Sequence, residues 1–234
     1  MNRTARTAVT AGVRLVWLVS LLQSACGAGA TVTSQAPSSA AQAQPTSTAA
    51  VPAGGVRFVA TPFKGLATVK VQEHLAVNLI NTDAVLTSNG VDGVLTLKAD
   101  GTFAPDSKIV VDMTRLQSDQ SLRDRWIQLF GVETNKFKTA TFEPRTATGL
   151  PSPLPASGQW TFTLGGQLTV HGVTKAATWN ATATRAGRDL SGSATTLIHW
   201  ADFDVEKPQA AVTQVVSVSD DIRLQLDFVG AQAD

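Results

Sequence analysis

The side chains that could carry acid–base, nucleophilic or metal chemistry are few in this sequence and far apart. His74, His171 and His199 are its only histidines, and no two share a metal-binding spacing such as H-x-x-x-H. The closest acidic pairs, in "ADFD" and "SDD", are one or two residues apart. Such neighbours usually shape turns, whereas acid–base catalysis needs opposed carboxylates with separated pKa values. The sequence also contains no G-x-S-x-G, P-loop or Rossmann glycine pattern, so we expect neither an enzyme nor a metal site.

Cys26 is the only cysteine, and its position suggests modification rather than catalysis. It follows a basic start and the apolar run "LVWLVSLL", which is shorter than the roughly 20 residues that span a bilayer. The stretch "LLQSACG" resembles a bacterial lipobox, in which the cysteine is acylated and becomes the new N-terminus. We therefore expect residues 1–26 to be a signal peptide with a lipobox-like end and Cys26 to carry the lipid. The alternative is ordinary secretion with cleavage after Ala28-Gly29-Ala30.

Residues 27–55 form an Ala/Ser/Thr/Pro/Gln-rich segment with no charge and few large apolar side chains. Such a composition cannot bury enough surface to offset the entropy of ordering, so we expect a disordered tether. Together with the acylated cysteine it predicts an exported, membrane-anchored lipoprotein that faces the periplasm or the cell exterior. Without the signal, 16 basic residues remain against 18 acidic ones, and no basic cluster occurs. This balance argues against a nucleic-acid partner.

The remaining residues, 56–229, alternate apolar and polar side chains in seven or eight short runs. Examples are "WTFTLGGQLTV", "ATWNATAT" and "IRLQLDF". Gly165 and Gly166 interrupt the first of these and predict a bulge or bend in that strand. The fold class is therefore all-β, and closure into a barrel or sandwich would remove the exposed strand edges.

One segment, "SDQSLRDRWIQLF", has helical rather than strand periodicity. Ser118 and Asp119 are favourable N-cap residues, and Gly131 is a suitable end. The apolar positions are spaced i, i+4, i+7 and i+8 and form one stripe: Leu122, Trp126, Leu129 and Phe130. We expect a short amphipathic helix that docks this stripe on a barrel mouth or covers it as a lid.

The hairpin "QLTVHGVTKAATW" places the large Trp179 on an apolar face with small neighbours. Those neighbours include Ala177, Ala181, Ala183 and Ala194, whose size leaves room beside the indole. An eight-stranded barrel can either be filled by its side chains or hold one small ligand. From the residues alone, Trp179 could line a cavity or plug a solid core. At the turn, we expect His171 to hydrogen-bond the turn backbone.

Several stretches together resemble the YceI-like domain family. They are "SKIVVDMTRLQSDQSLRD", "NKFKTATFEP", "GQLTVHGVTKAATW" and "ADFDV" with "VSDDIRLQLDF", and with "VQEHLAV" they cover nearly all of residues 56–229. The resemblance implies an extended, antiparallel, lipocalin-like β-barrel of about eight strands with one short helix. It also implies an interior that holds a polyisoprenoid, a quinone-like lipid or another long apolar chain, and it favours a cavity beside Trp179.

The predicted function is thus to bind and sequester or carry such a lipid, without catalysis and without another cofactor. Two alternatives remain: a structural or interaction module with a solid core, and an accessory lipoprotein that delivers a quinone-type ligand to a membrane redox enzyme. An exposed barrel edge could also support a homodimer. Ten apolar residues are predicted to contact the ligand: Leu122, Trp126, Leu129, Phe130, Phe137, Phe142, Phe162, Trp179, Ile198 and Trp200.

Overall fold

The computed structural model describes residues 51–75, 81–208 and 215–233. Within these ranges the chain forms ten strands, one α-helix and two short 3-10 helices. The strands are β1 (Val56–Ala60), β2 (Leu66–Leu75), β3 (Asn81–Ser88), β4 (Val91–Leu97), β5 (Lys108–Asp112), β6 (Thr139–Thr148), β7 (Ser157–Val170), β8 (Val173–Ala186), β9 (Asp189–His199) and β10 (Val215–Gln232). Helix α1 spans Ser121–Leu129, and the 3-10 helices span Met113–Arg115 and Trp200–Phe203.

All the strand pairs are antiparallel, and the long strand β10 closes the sheet on itself. One edge of β10 pairs with β9 from Asp221 to Ala231. Its other edge pairs first with β2 and then, through Gly230, with β1. Strand β3 pairs with β2, and β4 pairs with β1. Strands β1 and β2 therefore act as one bent strand of the barrel, and β3 and β4 act as the next. The result is a closed eight-stranded barrel, which confirms the predicted all-β, lipocalin-like fold class.

The alternating pattern decides which side chains enter the barrel. In β8 the buried Trp179 and Ala181 alternate with exposed polar residues, and in β10 Leu226 and Phe228 alternate with Arg223 and polar neighbours. Successive side chains of a strand point to opposite faces, so this alternation gives each strand one apolar face. These faces converge on one interior, whose buried members include Phe58, Val91, Leu97, Ile109, Phe142, Leu168, Trp179, Phe203 and Leu226.

A bulge does occur where Gly165 and Gly166 pair with β6, but its extra residue belongs to β6 rather than to β7. Both glycines pair regularly with β8, and the irregularity lies opposite them in β6, between Pro144 and Thr146. Gly166 instead serves a close approach. A Cβ at that position would lie 2.9 Å from ring atoms of Phe142 and 2.3 Å from the Glu143 carbonyl oxygen. The glycine therefore makes room for the Phe142 ring to enter the barrel.

Helix α1 begins at Ser121, with Gln120 as the N-cap residue, rather than at Ser118 or Asp119 as predicted. The Ser118 backbone N–H and hydroxyl both donate to the Asp124 carboxylate, at 2.8 and 2.7 Å, so the preceding turn is tied to the helix. The Arg123 guanidinium donates to the Glu73 carboxylate of β2 at 3.0 Å. This pair fixes the helix against the barrel.

Of the four residues in the predicted apolar stripe, only Trp126 lies on the face that α1 turns to the barrel. Leu122, Leu129 and Phe130 are 71%, 43% and 60% exposed, whereas Trp126 and Ile127 are half-buried. Ile127 packs against a cluster formed by Leu86, Met113 and Leu116. The docked face therefore consists of Arg123, Trp126 and Ile127, which are spaced i, i+3 and i+4 along the helix.

Candidate ligand cavity

The barrel interior contains two adjacent cavities lined almost entirely by carbon atoms. The loop-side cavity has a volume of about 80 Å³ and reaches Leu150 and Leu154 of the β6–β7 loop. Other residues that line it include Phe58, Leu95, Leu97, Phe103, Trp160, Phe162, Leu190 and Phe228. The helix-side cavity has a volume of about 130 Å³ and reaches Trp126 and Ile127 of α1. Other residues that line it include Val69, Val71, Val111, Leu168, Val170, Ile198, Trp200 and Leu224.

Four residues line both cavities and form the waist between them: Ile109, Phe142, Trp179 and Leu226. The rings of Phe142 and Trp179 are tilted by 57° with centroids 5.4 Å apart, a favourable geometry for an aromatic pair. Trp179 is only 4% exposed, and its indole nitrogen has no hydrogen-bond partner. It is the single buried side-chain nitrogen or oxygen left unpaired among the residues that the structure describes.

Small inward-facing residues create the space on the β8–β9 side of the barrel. Ala181 and Ala194 are paired across the two strands, and both line the loop-side cavity. Ala183 is paired with Gly192 at the next inward position, and these two residues line the same cavity. Larger side chains at these positions would fill the interior. Three of the four alanines expected beside Trp179 thus leave room there, whereas Ala177 is not among the lining residues.

A buried arginine closes the barrel end beyond the loop-side cavity. The Arg185 guanidinium donates to the Leu154 and Pro155 carbonyl oxygens at 3.2 Å and to the Gln232 side chain at 2.6 Å. It also lies 5.2 Å from the centroid of the Phe58 ring, a cation–π contact. Burial lowers the pKa of Arg185, because the surrounding protein disfavours its charged form. These bonds tie the β6–β7 loop to the barrel and satisfy the buried charge.

The opposite end, around the helix-side cavity, is framed by polar contacts at the rim. The Trp200 indole N–H donates to the Ser219 carbonyl oxygen at 2.8 Å, which fixes this ring at the mouth. The His199 ring lies between the carboxylates of Asp202 and Asp221, at 3.3 and 3.2 Å. These groups are half-exposed or exposed, so charge is confined to the rim while the interior remains apolar.

The prediction that His171 hydrogen-bonds the backbone of its own turn is wrong. The Nε2 of His171 lies 2.7 Å from the Glu133 carboxylate, and its Nδ1 lies 3.2 Å from the Phe203 carbonyl oxygen. The Phe137 ring packs edge-on against the imidazole at a centroid distance of 4.5 Å. The hydrogen bond from His171 holds the pKa of Glu133 below its usual value. His171 thereby links the segment after α1 to the 3-10 helix at Trp200–Phe203.

Six of the ten residues predicted to contact a ligand lie in the lining of these cavities. Trp126, Ile198 and Trp200 line the helix-side cavity, Phe162 lines the loop-side cavity, and Phe142 and Trp179 line both. The other four, Leu122, Leu129, Phe130 and Phe137, are not among the lining residues. Direct contact of any of the ten with a ligand stays a prediction.

Sequence reasoning missed part of the lining. Ile109, Leu224 and Leu226 could have been included among the predicted ligand contacts, because the alternation in their strands places them on inward faces. Leu150 and Leu154 had no such signal, since they lie in the Pro-rich stretch "GLPSPLPASG". Their position depends on the Arg185 bonds to that loop, which no local pattern reveals.

No cluster of three or more histidine, cysteine or acidic side chains that could hold a metal ion occurs in residues 51–75, 81–208 and 215–233. Within the same ranges, no helix has both the length and the apolar character needed to cross a membrane. Cys26 and the predicted signal peptide lie outside these residues, and so does the predicted tether except for residues 51–55.

Comparison with known families and structures gives a consistent result. Residues 56–230 match the model of the YceI-like domain. A polyisoprenoid-binding domain from Saccharophagus degradans, implicated in plant cell wall breakdown, matches with a TM-score of 0.59 and 12% identity over 76% of this chain and 99% of that one. BcnA from Burkholderia cenocepacia matches with a TM-score of 0.55 and 15% identity over 73% and 98%. At these identities the likeness concerns the fold. The comparison with curated proteins found no match.

Proposed function

This chain belongs to the YceI-like domain family, and from that membership and its two apolar cavities we propose that the barrel binds a polyisoprenoid or another long apolar lipid. The observation that carries the proposal is the waist, where Phe142 and Trp179 separate two cavities along one interior. A long chain would occupy both cavities and pass between these rings. The name of the Saccharophagus degradans domain supports this ligand class.

The physical basis of the proposed binding is burial of apolar surface. Each CH₂ group moved from water into a dry interior contributes about 0.8 kcal/mol, so a polyprenyl chain needs no charged anchor. In the described residues that line the two cavities, no lysine, arginine, aspartate or glutamate occurs. The role proposed is therefore binding and carriage rather than catalysis.

Uptake of a long chain requires the interior to expand. Volumes of about 80 and 130 Å³ exceed the space needed for one water molecule, roughly 10–15 Å³. They are smaller than typical ligand pockets, which start at about 300 Å³. The aromatic pair at the waist is the natural place for movement, because free space adjoins it on two sides.

We also propose that the protein is exported and anchored to the membrane as a lipoprotein. Residues 1–26 direct export, Cys26 carries the lipid anchor, and residues 27–55 tether the barrel at the membrane surface. The support for this proposal is the sequence alone, "LLQSACG" followed by an uncharged segment. Replacement Cys26→Ser should remove the mass of the acyl chains and release the barrel from the membrane fraction. Retention of the variant in that fraction would contradict the anchor.

The test of lipid binding uses the delipidated full chain and a long polyprenyl alcohol. Titration should saturate at one lipid per chain and change the fluorescence of the tryptophans, since Trp126, Trp160, Trp179 and Trp200 all line the cavities. A short-chain alcohol of the same head group serves as the control and should bind far more weakly. Absence of saturable uptake would reject the proposal.

A further inference from the structure

The Trp179 indole N–H is an unsatisfied donor inside an apolar barrel. Trp179 is 4% exposed, and its nitrogen has no hydrogen-bond partner. A buried polar group without a partner costs about 1–3 kcal/mol, so native proteins seldom retain one without a reason. For comparison, the Trp200 indole at the rim does have a partner, the Ser219 carbonyl oxygen at 2.8 Å.

The location of this donor links it to the ligand path. Trp179 lines both cavities, so a chain that occupies both must pass its ring. The ring is packed against Phe142, and a chain can pass only if this pair moves. Such a movement would also give a bound chain access to the indole N–H. A ligand atom that accepts a hydrogen bond at the waist would then satisfy the donor.

We propose that the ligand carries a neutral oxygen, in a carbonyl, ether or hydroxyl group, that accepts a hydrogen bond from the Trp179 indole N–H at the waist. This inference rests on the proposed function and narrows its ligand class. A neutral oxygen is favoured over a phosphate because the described lining residues include no lysine or arginine that could compensate a charge. A pure hydrocarbon would leave the N–H unpaired.

The experiment uses geranylgeranylacetone, a polyprenyl ketone, and the matched hydrocarbon in which a methylene replaces the carbonyl. In the ¹⁵N-tryptophan-labelled chain, the ketone should move the Trp179 indole N–H proton downfield and the hydrocarbon should not. The ketone should also bind about 2- to 10-fold more tightly, the range expected for one net hydrogen bond. The labelled chain needs no substitution for this measurement, so folding of a variant does not enter it.

A variant then tests the donor itself. Trp179→Phe keeps an aromatic ring and removes the N–H, so the buried ketone oxygen would lack its donor and the preference for the ketone should be lost. Thr178→Val, at an exposed position of the same strand, should retain the preference for the ketone. Equal binding of both probes by the unsubstituted chain, with no shift of the Trp179 signal, would overturn this inference and leave lipid binding intact. Failure of both probes and of the polyprenyl alcohol to bind would instead reject the proposed function.

Discussion

Ala181 of β8 pairs directly with Ala194 of β9, and both residues line the loop-side cavity. Two methyl groups at this position leave space that leucine or phenylalanine would occupy in a solid barrel. If a ligand occupies this space, a larger side chain placed there should abolish ligand binding while the barrel still folds.

The replacement Ala194→Leu is expected to reduce uptake of a polyprenyl alcohol by at least about tenfold, because the added side chain occupies the ligand path. The neighbouring outward residue offers a matched control, Thr195→Leu, which should bind as the unsubstituted chain does. Isothermal titration of both variants measures this, with circular dichroism to verify the barrel. Unchanged binding by a folded Ala194→Leu variant would place the ligand elsewhere.

The two faces of α1 should differ in their contribution to stability. Ile127 packs on Leu86, Met113 and Leu116, so Ile127→Ala should lower the free energy of unfolding by roughly 1–2 kcal/mol. Leu122 is 71% exposed, and Leu122→Ala should change it by less than about 0.5 kcal/mol. Urea unfolding of both variants gives the comparison. A larger loss for Leu122→Ala would mean that the predicted stripe, and not the observed face, is docked.

The ion pair between Arg123 and Glu73 should control how firmly α1 is held. Its side chains are 20% and 13% exposed, so removing the arginine leaves a largely buried carboxylate unpaired. Arg123→Gln should therefore speed amide hydrogen exchange across Ser121–Leu129 by about tenfold or more. Arg125→Gln, an exposed position on the same helix, is the control and should leave exchange unchanged. Equal protection in both variants would show that apolar contacts alone hold the helix.

The bond between Glu133 and His171 should make stability depend on pH in the acid range. The folded pKa of Glu133 lies below its ordinary value of 4.5, chiefly because His171 donates a hydrogen bond to it. A group with a lowered folded pKa stabilises the protein above its unfolded pKa, and that contribution is lost as the pH falls through the folded pKa. Glu133→Gln should thus be less stable than the unsubstituted chain at pH 6, and the difference should shrink below about pH 4.5.

Urea midpoints between pH 3 and pH 7 measure this effect, with Glu206→Gln as an exposed control that should show no such convergence. If the gap between Glu133→Gln and the unsubstituted chain stayed constant across this range, the Glu133 carboxylate would not contribute through its ionisation.

The fold could be predicted from sequence as far as local periodicity determines it. The alternation in "WTFTLGGQLTV" and "ATWNATAT" placed Trp160, Phe162 and Trp179 correctly on inward faces, since side-chain direction in a strand depends only on position. The YceI-like motifs supplied the remaining step, from a set of strands to a closed barrel of the YceI-like type. The all-β class and closure therefore followed from residues that are close in the sequence.

What the sequence could not show depends on contacts between distant residues. The Arg123–Glu73 pair joins residues 50 positions apart, and His171 reaches Glu133 across 38. The orientation of α1 follows from the first of these, and it overrides an apolar stripe that periodicity alone would dock. The bulge in β6 likewise depends on the register with β7, where Gly166 admits the Phe142 ring. The contact between Phe142 and Trp179 at the waist depends on this register and on the space left by Gly166.

Native mass spectrometry of the full chain, extracted from its own membrane without delipidation, tests the central claim most directly. We expect one folded population that carries a single long-chain lipid per barrel, released on collisional activation, with acyl chains retained on Cys26. A folded population of the bare chain with no bound lipid, which also takes up none when a polyprenyl lipid is added, would contradict it.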